Sequence, residues 1–308
     1  MSQEERSQVR LGENSYDLNC SFAAVMNMTI EELQTKANEI RQDIIKMLLG
    51  AGSGHSAGPL GMADVFTALY FGGVMSYDSQ NPNREDRDRL ILSNGHICPV
   101  LYATMAHAGF FPLSELTTLR KLGSRLQGHP ERERLPGLET TSGPLGSGLA
   151  QALGYAYAAK MDGKKFRIFC LTSDAEHQEG NHWEAVAFAG KYNLSNLTAF
   201  VDRNNIQIDG FTEDVMPLEP LKAKYEAFNW SVIEVDGHNI EAIIDAVNMA
   251  KAIHENPTVI ICRTIPGKGV EFMENLPEWH GKPPNLGETI EALNDLRTLS
   301  GKILSEHQ

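Results

Sequence analysis

The chain has 308 residues, 42% of them apolar and 22% charged, with a formal net charge of −13. That length holds one large α/β domain or two modest ones, and the composition is that of an ordinary globule. An acidic surface of this size argues against a nucleic-acid partner, and no run reaches the roughly 18 apolar residues of a membrane span.

Residues 1–28 are polar and mixed in charge, without the apolar core of a secretion signal. They read as an N-terminal arm, ahead of a single domain over residues 29–308. Cys20, Cys98, Cys170 and Cys262 form no CxxC pair and read as small hydrophobes of a reduced, cytoplasmic protein. A helix is expected over 29–49. Thr29 and Glu32 make a capping box there, and Ile30, Leu33, Ala37, Ile40, Ile44, Ile45 and Leu48 recur at helical spacing. The stretch GAGSGHSAGPLG breaks it, and a second helix follows over about 62–70. RLILS (89–93) is a short apolar run, followed by helices over about 98–109 and 113–122. Residues 123–142, with GHPERERLPG, form a long surface loop of the kind that usually carries function. Residues 143–160 open with GPLGSG and continue as an Ala-rich helix.

The second half alternates. Strands over 166–172, 197–202, 231–236 and 258–264 are separated by helices over about 181–192, 219–228 and 239–254, and a last helix covers about 290–304. Continuous apolar strands between helices imply a doubly wound parallel sheet with helices on both faces, an α/β fold. No internal repeat or linker interrupts it.

In such sheets ligands bind beyond the carboxyl ends of the strands. TSDAEHQEGN (172–181) and VDRNNIQIDG (201–210) are two such ends, one βαβ unit apart, so Asp174 and Asn204 can face one crevice. Mg²⁺ wants hard oxygens in octahedral geometry, and Ca²⁺ or Mn²⁺ also takes oxygen ligands. Asp174, the Asn204 amide and the Ile206 carbonyl could supply three, with phosphate oxygens of a substrate and a water completing six. The same residues also read as architecture, Asp174 capping a helix and Asn204 shaping a turn. On spacing alone both readings stand.

Four of the ten histidines lie in glycine-rich or aromatic contexts: His55 in GSGHSAGPLG, His96 in LSNGHICPVLY, His129 in LQGHPE and His280 in EWHGKPP. Each alone is a plausible structural residue. Together, at element ends beside Gly or Pro, they fit a site carried on loops. His107 reads as helix packing, His182 as a helix cap, His238 as a turn residue, and His254 and His307 as surface; these and His177 are given no chemistry.

With these segments in view the chain resembles the transketolases, in their thiamine-diphosphate-binding half. Asp174…Asn204 is similar to the family's Gly-Asp-Gly…Asn metal motif, and continues as Gln178-Glu179-Gly180 and as NNIQIDG (204–210). The family's SGHPGxPLG, S-x-GH, GHPE, GPLGQG and late HG appear in the same order, from about residue 29 to 285. Departures are Ser173 and Ala175 for the two glycines, Ser56-Ala57 for Pro-Gly, and Ser147 for Gln. Ala175 can still offer its N–H to a phosphate, though its Cβ takes space.

The resemblance implies a thiamine-diphosphate-binding fold of the diphosphate (PP) type. It makes His55, His96 and His280 the catalytic candidates, lining the substrate channel and the thiazolium side. It puts His129, with His55 and His280, on the sugar, and Gly143 and Leu145 against the aminopyrimidine and thiazolium edge. Asp174, Asn204 and Ile206 would hold the metal. Ala175, Glu179, His96, His280 and Lys282 join Gly143, Leu145, Asp174 and Asn204 in the cofactor set, Glu179 also at the subunit interface. Lys282 reads equally as a solvated surface charge, and Glu179 as a helix-dipole partner.

The implied activity is transfer of a two-carbon ketol unit from a ketose phosphate to an aldose phosphate. The cofactor carries that chemistry and the protein supplies orientation and proton traffic, for which histidines of near-neutral pKa would serve. The ring-activating half is expected on a C-terminal transketolase subunit carrying the pyrimidine-binding domain. The pair would form an α₂β₂ assembly that self-associates through the cofactor interface, in the cytoplasm and the pentose phosphate pathway. Rival readings are an enzyme for a sulfo- or branched sugar phosphate, 1-deoxyxylulose-5-phosphate synthase, and a non-catalytic homologue whose site has decayed at Ser173 and Ala175. A nucleotide-binding α/β protein is weaker, because no GxGxxG follows a strand and no Walker loop is present.

Overall fold

The computed structural model describes residues 28–307, so Cys20 and all but the last residue of the expected arm lie outside the described residues. Strands β1 (Arg89–Leu92), β2 (Ile168–Ser173) and β3 (Leu197–Arg203) are followed by a short hairpin, β4 (Ile206–Gln207) and β5 (Gly210–Phe211), and then by β6 (Ser231–Asp236) and β7 (Thr258–Arg263). Five of them form one parallel sheet in the order β1-β2-β3-β7-β6. The chain steps one way across the sheet from β1 to β3 and the other way from β6 to β7, so the direction switches between β3 and β7. The expected neighbouring of the two acidic strands holds, with Ser173 opposite Asp202.

The helices are α1 (Ile30–Ala51), α2 (Ala57–Gly61), α3 (Ala63–Phe71), α4 (Cys98–His107), α5 (Gly148–Met161), α6 (Gly180–Lys191), α7 (Thr212–Val215), α8 (Leu221–Ala227), α9 (Ile240–Ala252) and α10 (Leu286–Glu306). Strand side chains alternate between two cores, as the period of two requires. Phe169, Leu171, Phe200 and Ile260 pack with Ile44, Phe66, Leu101, Val247 and Leu296 on one face. Ile168, Cys170, Ala199 and Val201 pack with Ala152, Val186 and Tyr225 on the other. Cys98, Cys170 and Cys262 are buried and, among the described residues, unpaired, as their apolar surroundings imply.

Helix α1 starts where its capping box places it, with Glu32 N–H donating to Thr29 Oγ1 at 3.2 Å and Thr29 N–H to Glu32 Oε2 at 2.7 Å. Three boundaries differ from expectation. The helix expected over 113–122 is a 3₁₀ turn, Leu113–Thr118, that stops before Arg120 adopts a left-handed φ of 59°. The glycine-rich break after α1 contains the fully buried α2. Helix α10 begins four residues earlier than expected, at a capping box formed by Asn285 and Glu288.

Candidate active site

The carboxyl ends of four adjacent strands, β1, β2, β3 and β7, carry the motif segments into one region. Two close approaches hold the β1 exit there. A Cβ on Gly95 would lie 2.3 Å from Ser142 Oγ, and one on Gly148 would lie 2.3 Å from Ser93 Cβ, so only glycine lets these loops meet. Glu176 clasps them from below. Its Oε1 accepts from Ser93 Oγ and from Gly146 N–H at 2.7 Å, and its Oε2 from Ser173 N–H at 3.1 Å. Burial pushes the Glu176 carboxyl above its ordinary range, against the pull of these donors.

Asp174 closes β2 and is fully buried. Its Oδ1 accepts from Ala175 N–H at 2.7 Å, and its Oδ2 from Asn205 N–H at 2.7 Å and from Arg203 Nη1 at 2.9 Å. Burial raises its pKa, opposed by Arg203 and the two backbone donors. Asn204 Oδ1 accepts from Ile206 N–H at 3.0 Å, and Asn204 Nδ2 donates to Asp202 Oδ2 at 2.8 Å. Asp202 also accepts from Thr264 Oγ1, at the exit of β7. Its carboxyl is pushed up to about 7 by burial, with the charge of Asp174 adding to the rise. Asp174 thus caps a short 3₁₀ turn, Ala175–Gln178, rather than α6, and Asn204 does shape a turn.

These architectural roles leave coordination capacity. Asp174 Oδ1 and Asn204 Oδ1 each accept one hydrogen bond and retain a lone pair. Among the described residues no three His, Cys, Asp or Glu side chains gather as a metal cluster. A set built on one carboxylate, one amide and one backbone carbonyl is what a hard cation shared with a diphosphate would use.

His55, His96 and His280 come together as the sequence implies. Their ring centroids are 4.8 Å apart for His55–His96, 5.2 Å for His96–His280 and 5.5 Å for His55–His280. Ser56 Oγ donates to Lys282 O at 2.6 Å and Gly267 N–H to Ala57 O at 2.9 Å, fastening the β7 exit segment to the His55 loop. Among the described residues His55 Nδ1 is buried without a partner, as are both amide atoms of Asn94, beside His96. The expectation of near-neutral pKa values is corrected: burial drives His55 down to about 4, with His280, Arg120 and His129 adding repulsion. His96 and His280 are lowered by burial too. The three rings are therefore neutral at physiological pH. His129 is exposed and close enough for its charge to act on His55 and His96.

The other candidates surround this group, less closely bonded. Gly143 lies beside Gly95 with φ 153°, and Leu145 is exposed next to it. Glu179 is exposed as the residue before α6, its side chain unbonded among the described residues and packed on Gly146. Lys282 Nζ bonds Glu288 Oε1 at 3.0 Å and lies 3.8 Å from the Trp279 ring centroid. The wider clefts, around Ser124 and around Tyr155, touch neither the histidines nor Asp174.

Sequence reasoning misses Glu176, Asn94 and Arg203, although all three lie inside the quoted motif segments. It gives His177 no role, and reads His182 as a helix cap and His238 as a turn residue, which His238 is. His177 Nε2 and His182 Nε2 both bond Tyr225 Oη at 2.8 Å under the Asp174 loop. His182 thus sits inside α6 and does not cap it. His238 bridges Asp64 Oδ2 and Ile265 N–H, each at 2.8 Å.

Residues 33–298 match the family described as transketolase, thiamine diphosphate binding domain. The 6-deoxy-6-sulfo-D-fructose transketolase subunit SqwG of Clostridium sp. (strain MSTE9) is 43% identical over 79% of this chain and 88% of its own length. One subunit of the apulose-4-phosphate transketolase of Phocaeicola vulgatus is 36% identical over 91% of this chain and 99% of its own. The solved transketolase of Campylobacter jejuni superposes with a TM-score of 0.81 at 34% identity, over 90% of this chain and 43% of that one. The chain thus spans under half the length of the solved transketolases it matches and nearly the full length of the two subunits. No helix among the described residues is long and apolar enough to cross a membrane. The fold, the ordered motifs and these likenesses agree: the chain belongs to the transketolase family and carries its thiamine diphosphate binding domain.

Proposed function

We propose that this chain is the diphosphate-binding subunit of a two-chain transketolase, with its site completed by a C-terminal subunit carrying the pyrimidine-binding domain. The observation that carries this is the gathering of three imidazoles whose pKa values burial lowers, one with a buried nitrogen unpartnered among the described residues, at the same carboxyl end of the sheet as the Asp174–Asn204 pair. Asp174, Asn204 and the Ile206 carbonyl would hold Mg²⁺ against the diphosphate, with the Ala175 N–H available to a phosphate oxygen. Thiamine diphosphate, when bound, supplies the electron sink that lets the ketose carbon–carbon bond break.

The chain's own residues do the rest. His55, His96 and His280 are held neutral, so each can accept a proton from a sugar hydroxyl at one nitrogen and donate from the other. His129 reaches the sugar hydroxyls from the loop side. Asn94, with a buried donor and acceptor both unspent, would orient a polar group of cofactor or sugar. Gly143 and Leu145 would flank the ring, and Glu179 would meet the neighbouring protomer where the cofactor interface forms. Lys282 can reach a phosphate by leaving Glu288, and an exposed ion pair of this kind costs little to break.

The two relatives matched nearly end to end are named for apulose 4-phosphate and 6-deoxy-6-sulfo-D-fructose. Those names support a branched or sulfonated sugar as a second reading of the substrate, beside the ordinary pentose phosphates. The test is to combine the chain with a C-terminal transketolase subunit, Mg²⁺, thiamine diphosphate and a panel of ketose phosphates and sulfonates. Two-carbon transfer by the pair, and by neither chain alone, is expected. Absence of cofactor binding in the pair would defeat the reading.

A further inference from the structure

Arg203 ends β3 and is 3% exposed, a guanidinium placed directly on the carboxylate proposed for the metal. Its Nη1 donates to Asp174 Oδ2, and its Nη2 donates to Glu213 Oε1 at 2.6 Å and to Glu219 Oε1 at 3.1 Å. Its Nε is buried with no acceptor among the described residues. Oδ2 is then saturated, since it also takes the Asn205 N–H, and only Oδ1 keeps a lone pair for a cation. A metal ion on Oδ1 and the guanidinium on Oδ2 would share one carboxylate, two cations a few ångströms apart, with the partly exposed Glu213 and Glu219 carboxylates on the guanidinium's other nitrogen.

That repulsion acts on a bare divalent ion. An ion arriving with a diphosphate brings the negative charge that offsets it. We propose that Arg203 makes metal capture at Asp174 conditional on the diphosphate, holding the bare ion to weak binding and admitting the metal–diphosphate complex. Glu213 and Glu219, 37% and 51% exposed, keep the guanidinium turned toward Asp174. The inference rests on the metal reading of Asp174, Asn204 and Ile206.

The test is Mn²⁺ binding to the full chain, followed by electron paramagnetic resonance, with and without inorganic pyrophosphate. Wild type should bind Mn²⁺ weakly alone and more tightly with pyrophosphate. Arg203→Gln removes the charge and keeps a donor, and should bind bare Mn²⁺ on the order of tenfold more tightly, with a smaller gain from pyrophosphate. Arg203→Lys keeps the charge and should behave like wild type. Bare Mn²⁺ binding that is unchanged or weaker in a folded Arg203→Gln protein overturns the proposal. If that variant does not fold, the wild type decides, because equal affinity with and without pyrophosphate overturns it as well. No Mn²⁺ binding under any condition removes the metal site itself, and the proposal with it.

Discussion

Asn205 donates its backbone N–H to Asp174 Oδ2 at 2.7 Å, across 31 positions of sequence, so the loops leaving β2 and β3 are joined at one oxygen. Asn205 can do this because it adopts a left-handed φ of 64°, which asparagine tolerates better than most residues. Asp174→Asn replaces a carboxylate oxygen with a donor that faces other donors. It should destabilise the chain by about 1–3 kcal/mol, the scale of a lost charged hydrogen bond. It should also abolish metal-dependent binding of thiamine diphosphate in the assembled pair. Urea denaturation and calorimetry read the two effects separately, and unchanged cofactor heat would remove Asp174 from the ligand set.

Ala175 stands where the family has glycine, but its backbone is not left-handed and it opens a 3₁₀ turn without strain. Ala175→Gly should therefore change cofactor affinity by no more than about threefold, and should cost about 0.4–1 kcal/mol through added freedom of the unfolded chain. A gain of tenfold or more in affinity would show that the methyl group crowds the phosphate.

Burial holds His55 down to about 4 in the folded chain, below the ordinary 6.5. Between those values the unfolded state binds the additional proton, so the contribution of this histidine is complete above about pH 6.5 and is lost as pH falls toward 4. Asp202, raised to about 7, acts in the opposite sense, so the total stability curve mixes both signs. The clean measurement is the stability difference between wild type and His55→Asn as a function of pH. It should shift against wild type from pH 6.5 down to 4, and a flat difference would mean that His55 is not desolvated.

Asn285 accepts the Glu288 N–H at 3.0 Å and Glu288 returns the bond to Asn285 N–H at 2.7 Å, fixing the start of α10. Asn285→Ala should cost about 1 kcal/mol in the urea midpoint, the usual scale of a lost N-cap. A neutral result would place the anchor of α10 in its packing on α1, where Asn38 Nδ2 donates to Leu296 O at 2.7 Å.

Much of this is legible in the chain. Apolar strands alternating with helices determine a parallel sheet, and the run from Thr29 to Leu48 carries its own cap and periodicity. The Asn285–Glu288 box is equally legible, but the apolar repeat that draws the eye begins only near Ile290. Glu176 and Arg203 are harder. A charged residue inside a polar motif gives no sign of burial until the sheet register puts Ser93, Gly146 and Asp174 against it. The histidine pKa values are out of reach for the same reason, since desolvation and crowding depend on which rings meet and not on which residues neighbour them in sequence.

The strand order also sets a schedule for the growing chain. Among the described strands β7 is the last made, yet it lies between β3 and β6. As synthesis runs from the N-terminus, β1, β2 and β3 can pair while β6 has no neighbour to join. Until residue 263 has emerged, β6 waits unpaired and β3 keeps an open edge, and the His280 segment cannot yet dock on the His55 loop. The Asp174–Asn205 link can therefore exist before the imidazole group does, and a ribosome paused between β6 and β7 would present a half-built site with an exposed strand edge.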